Sequence, residues 1–179
     1  FLLLLILLLN GCLATMQQLD REGRQAMQQQ NYDQAVQIYQ AAVAENPDNY
    51  QYRMTLARAL TQAAKHHKAN ADRLFEQENY RAALQEYRRA ADYDGSLYAA
   101  REGMKKAGGH LQAQRLISEA DDFRQSGQNA RAEELINEVL RMLPDFAPAL
   151  ELKKQLRTSR YALVDGITLD VTSTEPITL

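Results

Sequence analysis

The sequence predicts an all-α array of antiparallel helix hairpins with extended helices, followed by a short β segment that opens a second domain. Three observations lead there. Apolar residues recur at helical spacing from Gln17 to about Tyr161. Within that stretch one segment returns three times, with Ala35 and Ala83 48 residues apart and Ala83 and Ala132 49 residues apart. After Arg160 the period shortens and β-branched residues take over. These shifts divide the chain into 1–11, 12–161 and 162–179.

Composition fits long helices. The chain is 45% hydrophobic without a single Trp, and much of that fraction is Ala and Leu. A net charge of −2 offers no basic face for nucleic acid. Cys12 is the one cysteine, which excludes an internal disulfide framework.

The first element is the run Phe1 to Leu9, apolar throughout. It is too short to span a bilayer, which takes about 20 residues, and has the length of a signal-peptide core. No basic residues precede it, so the chain is expected to begin inside that signal, just as Pro176-Ile177-Thr178-Leu179 reads as a cut at the other end. Leu9-Asn10-Gly11-Cys12 follows directly and resembles the lipobox of bacterial lipoproteins. That resemblance implies a diacylglycerol on the Cys12 thiol, which becomes the new N-terminus. Leu13 rather than Asp comes next, which implies sorting to the outer membrane, facing the periplasm. Acyl chains contributing about 0.8 kcal/mol per buried CH₂ make a stable anchor when more than one is attached.

The repeats come next. They read Asn31-Tyr32-Asp33-Gln34-Ala35-Val36-Gln37-Ile38-Tyr39, Asn79-Tyr80-Arg81-Ala82-Ala83-Leu84-Gln85-Glu86-Tyr87, and Gln128-Asn129-Ala130-Arg131-Ala132-Glu133-Glu134-Leu135-Ile136. Helix stops follow at Asn46-Pro47-Asp48, Asp94-Gly95-Ser96 and Leu143-Pro144-Asp145. The pattern resembles the tetratricopeptide repeat. Gly23, Ala71 and Ala120 match the small residue of its first helix. Ala35, Tyr39, Ala42 and Pro47 match its second helix and exit, as do Ala83, Tyr87 and Ala90, then Ala132, Ile136 and Pro144. Physically, antiparallel helices approach to about 8–10 Å where small side chains face each other. The aromatic one turn on fills the space between neighbouring pairs.

The family repeat is about 34 residues long, shorter than the spacing here. The additional residues lie within Tyr50 to Lys65 and Leu97 to Gln112. The first insertion has no breaker, so one long helix is expected from about Asp48 to Gln77. The second carries Gly108-Gly109, where the helix is expected to kink or break. A last helix from Ala147 to about Ser159 should cap the array.

Past Arg160, Val164-Asp165-Gly166-Ile167-Thr168-Leu169-Asp170-Val171 reads as a strand, and Glu175-Pro176-Ile177-Thr178-Leu179 starts another. Lipobox, helical repeats and this strand pair, in that order, are similar to the N-terminal region of secretins. These are the outer-membrane channels of type II secretion and type IV pilus systems.

Reactive chemistry is not evident. His66 and His67 are adjacent and diverge on a helix, so a shared metal is not expected, and both read as exposed residues beside Lys65 and Lys68. Gly103 to Gly108 has the spacing of a phosphate loop, but Gly109-His110 stands where Lys and Ser or Thr are needed. It reads as a helix interruption. Asp121-Asp122 and Glu133-Glu134 read as solvated faces. No catalytic residue and no cofactor is expected.

What remains is a docking surface. The repeat resemblance places Arg24, Met27 and Gln28, then Lys68, Asp72 and Phe75, then Asp121, Arg124 and Gln125 on the concave face. The expectation is a non-enzymatic scaffold tethered to outer-membrane lipid through Cys12, contacting other secretion or pilus assembly proteins, and oligomeric if a secretin. The alternative is a free-standing lipoprotein acting as a pilotin or outer-membrane assembly adaptor.

Overall fold

A computed structural model describes residues 18–158. Cys12, the signal-like run and the expected β segment 162–179 lie outside the described residues. Within them the chain is helical, in seven helices: α1 (18–28), α2 (Tyr32–Glu45), α3 (Tyr50–Glu76), α4 (Tyr80–Tyr93), α5 (Tyr98–Gln125), α6 (Asn129–Met142) and α7 (147–158). No strand occurs among the described residues. The chain divides into two compact units, with the boundary in sequence between Ala107 and Gly108.

Turn chemistry explains why the helices stop where they do. At the end of α1 the Asn31 N–H donates to the Ala26 carbonyl, and Gln30 takes φ 59°. The same bond recurs from Asn79 to Leu74 and from Gln128 to Phe123, with Glu78 at φ 58° and Gly127 at φ 77°. Each is a left-handed cap that satisfies carbonyls the helix leaves open. Only Gly127 adopts this conformation without a Cβ penalty. The hairpins exit through a second kind of turn, in which Asn49, Leu97 and Phe146 donate to the carbonyls of Asn46, Asp94 and Leu143. Pro47, Gly95 and Pro144 hold the same place in it. The Asn49 side chain then caps α3, accepting from the Gln51 and Tyr52 N–H groups at 2.9 and 3.2 Å.

In the first unit, α3 lies against both α2 and α4. Its first half contributes Leu56, Ala59, Leu60 and Ala63 to a core with Ala26, Ala35, Val36 and Tyr39. Its last turns contribute Ala71, Leu74 and Phe75 to a second core with Ala83, Leu84, Tyr87, Met104 and Ala107. The chain therefore uses one continuous helix for two hairpins, as the unbroken pattern over this stretch predicts. In the second unit, Ala113, Leu116, Ala120, Ala132, Ile136, Val139, Phe146, Ala149, Leu152 and Leu156 form a single core.

Two expectations are corrected. Helix α5 runs through Gly108-Gly109 without a break. Each glycine weakens a helix by about 1 kcal/mol against Ala, and nothing comes within 4 Å of a Cβ built at either position. Buried Ala107 on one side and Ala113 and Leu116 on the other hold the helix in place. His67 is not an exposed residue: only 4% of it is accessible. It sits where α3 passes from one core to the other. His66 is half-buried against the Tyr32 ring and bonded to Asn70 at 3.0 Å.

Candidate protein-docking groove

The residues expected to pack the hairpins lie deep. Ala35, Ala83, Ala132, Ala71, Ala120, Ala90 and Ile136 are fully buried, and Ala42 and Tyr39 nearly so. Gly23 receives the Tyr39 ring: a Cβ there would lie 2.6 Å from Tyr39 Cζ. Pro47 and Pro144 sit in the exit turns. Gly103 belongs with this set. Far from interrupting a helix, it lies inside α5 against Tyr87, whose Cε1 would be 2.3 Å from a Cβ.

Of the nine residues assigned to a concave face, Arg24, Met27 and Gln28 line one groove of about 500 Å³ together with Tyr32, Tyr39, Thr55, Arg58 and Gln62. Helices α1, α2 and α3 thus form its walls. Thr55, Arg58 and Gln62 are absent from the sequence-based set because they lie in the insertion that departs from the family pattern. Their spacing of three and four residues is the signal that puts them on one face of α3.

The second group is occupied within the fold. Lys68 Nζ pairs with Asp72 Oδ2 at 2.6 Å, and the Tyr87 hydroxyl donates to Asp72 Oδ1 at 2.7 Å. Phe75 packs edge-on against Tyr80, with ring centroids 5.1 Å apart, as part of the core. In the third group, Asp121 accepts from Arg124 Nε at 2.8 Å and from Gln125 Nε2 at 2.7 Å. The Arg124 hydrogen bond comes first among the causes that hold the Asp121 carboxyl below its usual value. Asp121 and Arg124 edge a shallower groove of about 470 Å³ between α5 and α7, with Ile117, Pro148, Glu151, Leu152 and Gln155.

Electrostatics set the first groove apart. Arg24 is paired with Asp20 at 2.6 Å. Arg58 has no acidic partner among the described residues. The Tyr39 hydroxyl is buried and has no hydrogen-bond partner there either. Leaving a buried donor unmet costs about 1–3 kcal/mol. Burial raises the Tyr39 hydroxyl's affinity for its proton, Asp20 adds to this, and Arg24 and Arg58 oppose it.

A second polar cluster, at His67, joins three helices. Nε2 faces Asp33 Oδ1 of α2 and Nδ1 faces Glu86 Oε2 of α4, each at 2.8 Å. A carboxylate facing each ring nitrogen favours the imidazolium, in which both nitrogens donate. Burial alone would lower its pKa, but the bonds to Asp33 and Glu86 outweigh that and raise it above 6.5. For Asp33, burial is the largest single cause and pushes upward, but the bonds from His67 and Tyr93 together with the charges of His67 and Arg89 outweigh it, and its pKa falls below 3.8. Tyr93 stacks on the imidazole at 5.6 Å, and burial with its bond to Asp33 pushes its hydroxyl up to about 12.

Among the described residues no three His, Cys, Asp or Glu side chains converge as a metal site requires. No described helix is long and apolar enough to cross a membrane. Residues 26–71 match the tetratricopeptide repeat family model. The TPR domain of Arabidopsis OM64 is a structural neighbour at 17% identity and a TM-score of 0.25, covering 81% of this chain and 96% of that one. No curated protein matches the sequence. Family match and hairpin geometry together support a tetratricopeptide repeat fold, and that fold serves as a scaffold for protein–protein interaction.

Proposed function

We propose that this chain is a non-enzymatic docking region held at the outer membrane through acylated Cys12, and that it serves a secretin-type channel for protein secretion or pilus export. The groove walled by α1, α2 and α3 carries this reading. It combines an open, polar-rimmed surface with a rigid helical support, which suits capture of an extended partner segment better than catalysis. The lipobox-like Leu9-Asn10-Gly11-Cys12 supports the tether, and the strand-like pattern after Arg160 supports the channel. The partners are then other assembly proteins and, in a ring, further copies of the same chain.

Photo-crosslinking in cells tests the docking. A crosslinker replacing Met27 should trap a discrete envelope protein, and one replacing exposed Arg81 should not. Equal trapping at both positions overturns the groove as the docking surface. Labelled palmitate tests the anchor: incorporation should vanish with Cys12→Ala, and equal labelling removes the tether. Outer-membrane fractions should contain the protein in ring-sized oligomers. A monomer there favours the free-standing adaptor instead.

A further inference from the structure

We propose that Gly108-Gly109 is a hinge: α5 bends there, and the backbone hydrogen bonds across the pair open and reclose while the cores on either side stay folded. The basis is a comparison of the two long helices. Each carries one core towards its start and another towards its end, yet they join those cores differently. In α3, Ala59, Leu60 and Ala63 pack into the first core, and Ala64 beside them is buried as well. In α5, buried Ala107 belongs to the core before and buried Ala113 to the core after. None of residues 108–112 between them is buried. His110 already stands against Phe146 of the later core, with ring centroids 5.9 Å apart. The change from one core to the other therefore falls on the two glycines, where the boundary between the compact units also lies.

Neither packing nor backbone shape calls for glycine here. A Cβ at either position would meet nothing within 4 Å, and neither residue has a positive φ. Glycine has the most backbone freedom to lose in a helix, so two in succession raise the population with the ladder open by about 20-fold over alanine. Pairs of small residues are also where helices kink sharply. The period changes at the same place. Ala59 and Ala107 are 48 residues apart, whereas Ala64 and Ala113, like Ala71 and Ala120, are 49 apart. The additional residue of α5 thus falls between Ala107 and Ala113. Nor is the polar tie of α3 repeated. His67 is bonded to Glu86 and stacked on Tyr93, but the places 49 residues on are Leu116, Leu135 and Met142. A local weakness that no contact requires, set at the join of two cores, serves movement.

Spin-label distances within each helix test this, in the whole chain carrying Cys12→Ser. One pair of labels replaces exposed Arg101 and Glu119 of α5, and a control pair replaces exposed Gln51 and Ala69 of α3. Both pairs span five helical turns, about 27 Å along a straight axis. The α3 pair should give one narrow distance near that value. The α5 pair should give a broad distribution reaching several ångström below it, and G108A/G109A should narrow it. Alanine is the best helix former, so this variant keeps the fold. Hydrogen exchange supplies a second readout. After correction for intrinsic rates, the Leu111, Gln112 and Ala113 amides should exchange about tenfold faster than those of Gln62, Ala63 and Ala64, and G108A/G109A should slow them about 20-fold. A single narrow distance near 27 Å in unaltered α5, or a distribution that stays broad in G108A/G109A, overturns the hinge. So does exchange at Ala120 and Ile136 as fast as at Leu111, because the later core would then be unfolding and not merely bending away.

Discussion

Tyr39 and Tyr87 occupy matching places in the first two hairpins, yet each ring settles on a glycine in a different helix. Tyr39 lies on Gly23 of α1, the helix before it, and the position after it is Thr55. Tyr87 lies on Gly103 of α5, the helix after it, and the position before it is Ala71. The ring needs the same volume both times, but either flanking helix can yield the space. Close packing fixes how much room is required and does not fix which backbone supplies it. The choice has a consequence at the surface: where α3 keeps a side chain at Thr55, that side chain joins the wall of the groove.

Substitutions at the yielding positions give the largest test of this comparison. Gly103→Ala and Gly23→Ala should each cost about 1–3 kcal/mol in urea unfolding as the ring is displaced. Gly103→Ala should be the worse of the two, because its three nearest atoms, all in the Tyr87 ring, lie at 2.3–2.6 Å. Costs below about 0.5 kcal/mol at both sites, the range of ordinary surface changes, would show that the rings do not depend on them.

The join between the two hairpins should come next in size. His67 binds its proton more tightly when folded than the ordinary value of 6.5. Its contribution is therefore complete below about pH 6.5 and disappears as pH rises through the elevated folded value. Asp33 runs the other way, with its contribution present above 3.8 and lost as pH falls through its lowered folded value. Urea midpoints should fall on moving from about pH 6 to pH 9, and His67→Gln should flatten that dependence while costing about 2 kcal/mol at pH 6. An unchanged slope in His67→Gln would assign the titration elsewhere.

The smallest effect is the sharpest contrast. Tyr87→Phe removes a hydroxyl bonded to Asp72 and should cost about 1 kcal/mol. Tyr39→Phe removes a buried hydroxyl without a partner among the described residues and should be neutral or slightly stabilising. Identical losses by calorimetry would erase the difference drawn between the two hairpins.

Much of the hairpin framework was legible because it is written in local spacing. The alanines at 35, 83 and 132 repeat after 48 and 49 residues, the exit turns at Pro47 and Pro144 keep step with them, and the uninterrupted pattern after Tyr50 marks α3 as one long helix. The missed features depend on what lies opposite in space. Gly103 looks like a breaker until the Tyr87 ring is placed over it, and His67 looks solvated until Asp33 and Glu86 arrive from two other helices. The left-handed turns at Gln30 and Glu78 carry no glycine to announce them, although Gly127 does so at the matching position. For the groove, Arg24, Met27 and Gln28 came from the repeat pattern, whereas the α3 wall fell in residues that the pattern does not describe.

Helix α3 has a final implication for how such a protein can change. At 27 residues it is about 40 Å long, and its two ends belong to different cores with no loop between them. A hairpin here is not a bead that recombination could lift out, because a cut at the exit turn before α3 takes Leu56, Ala59, Leu60 and Ala63 from the first core and a cut within α3 severs the helix. Growth or loss of copies therefore exchanges whole 48- or 49-residue periods, so that each half of α3 keeps its own core. One residue more or fewer inside α3 would turn its second half by about 100° about the helix axis.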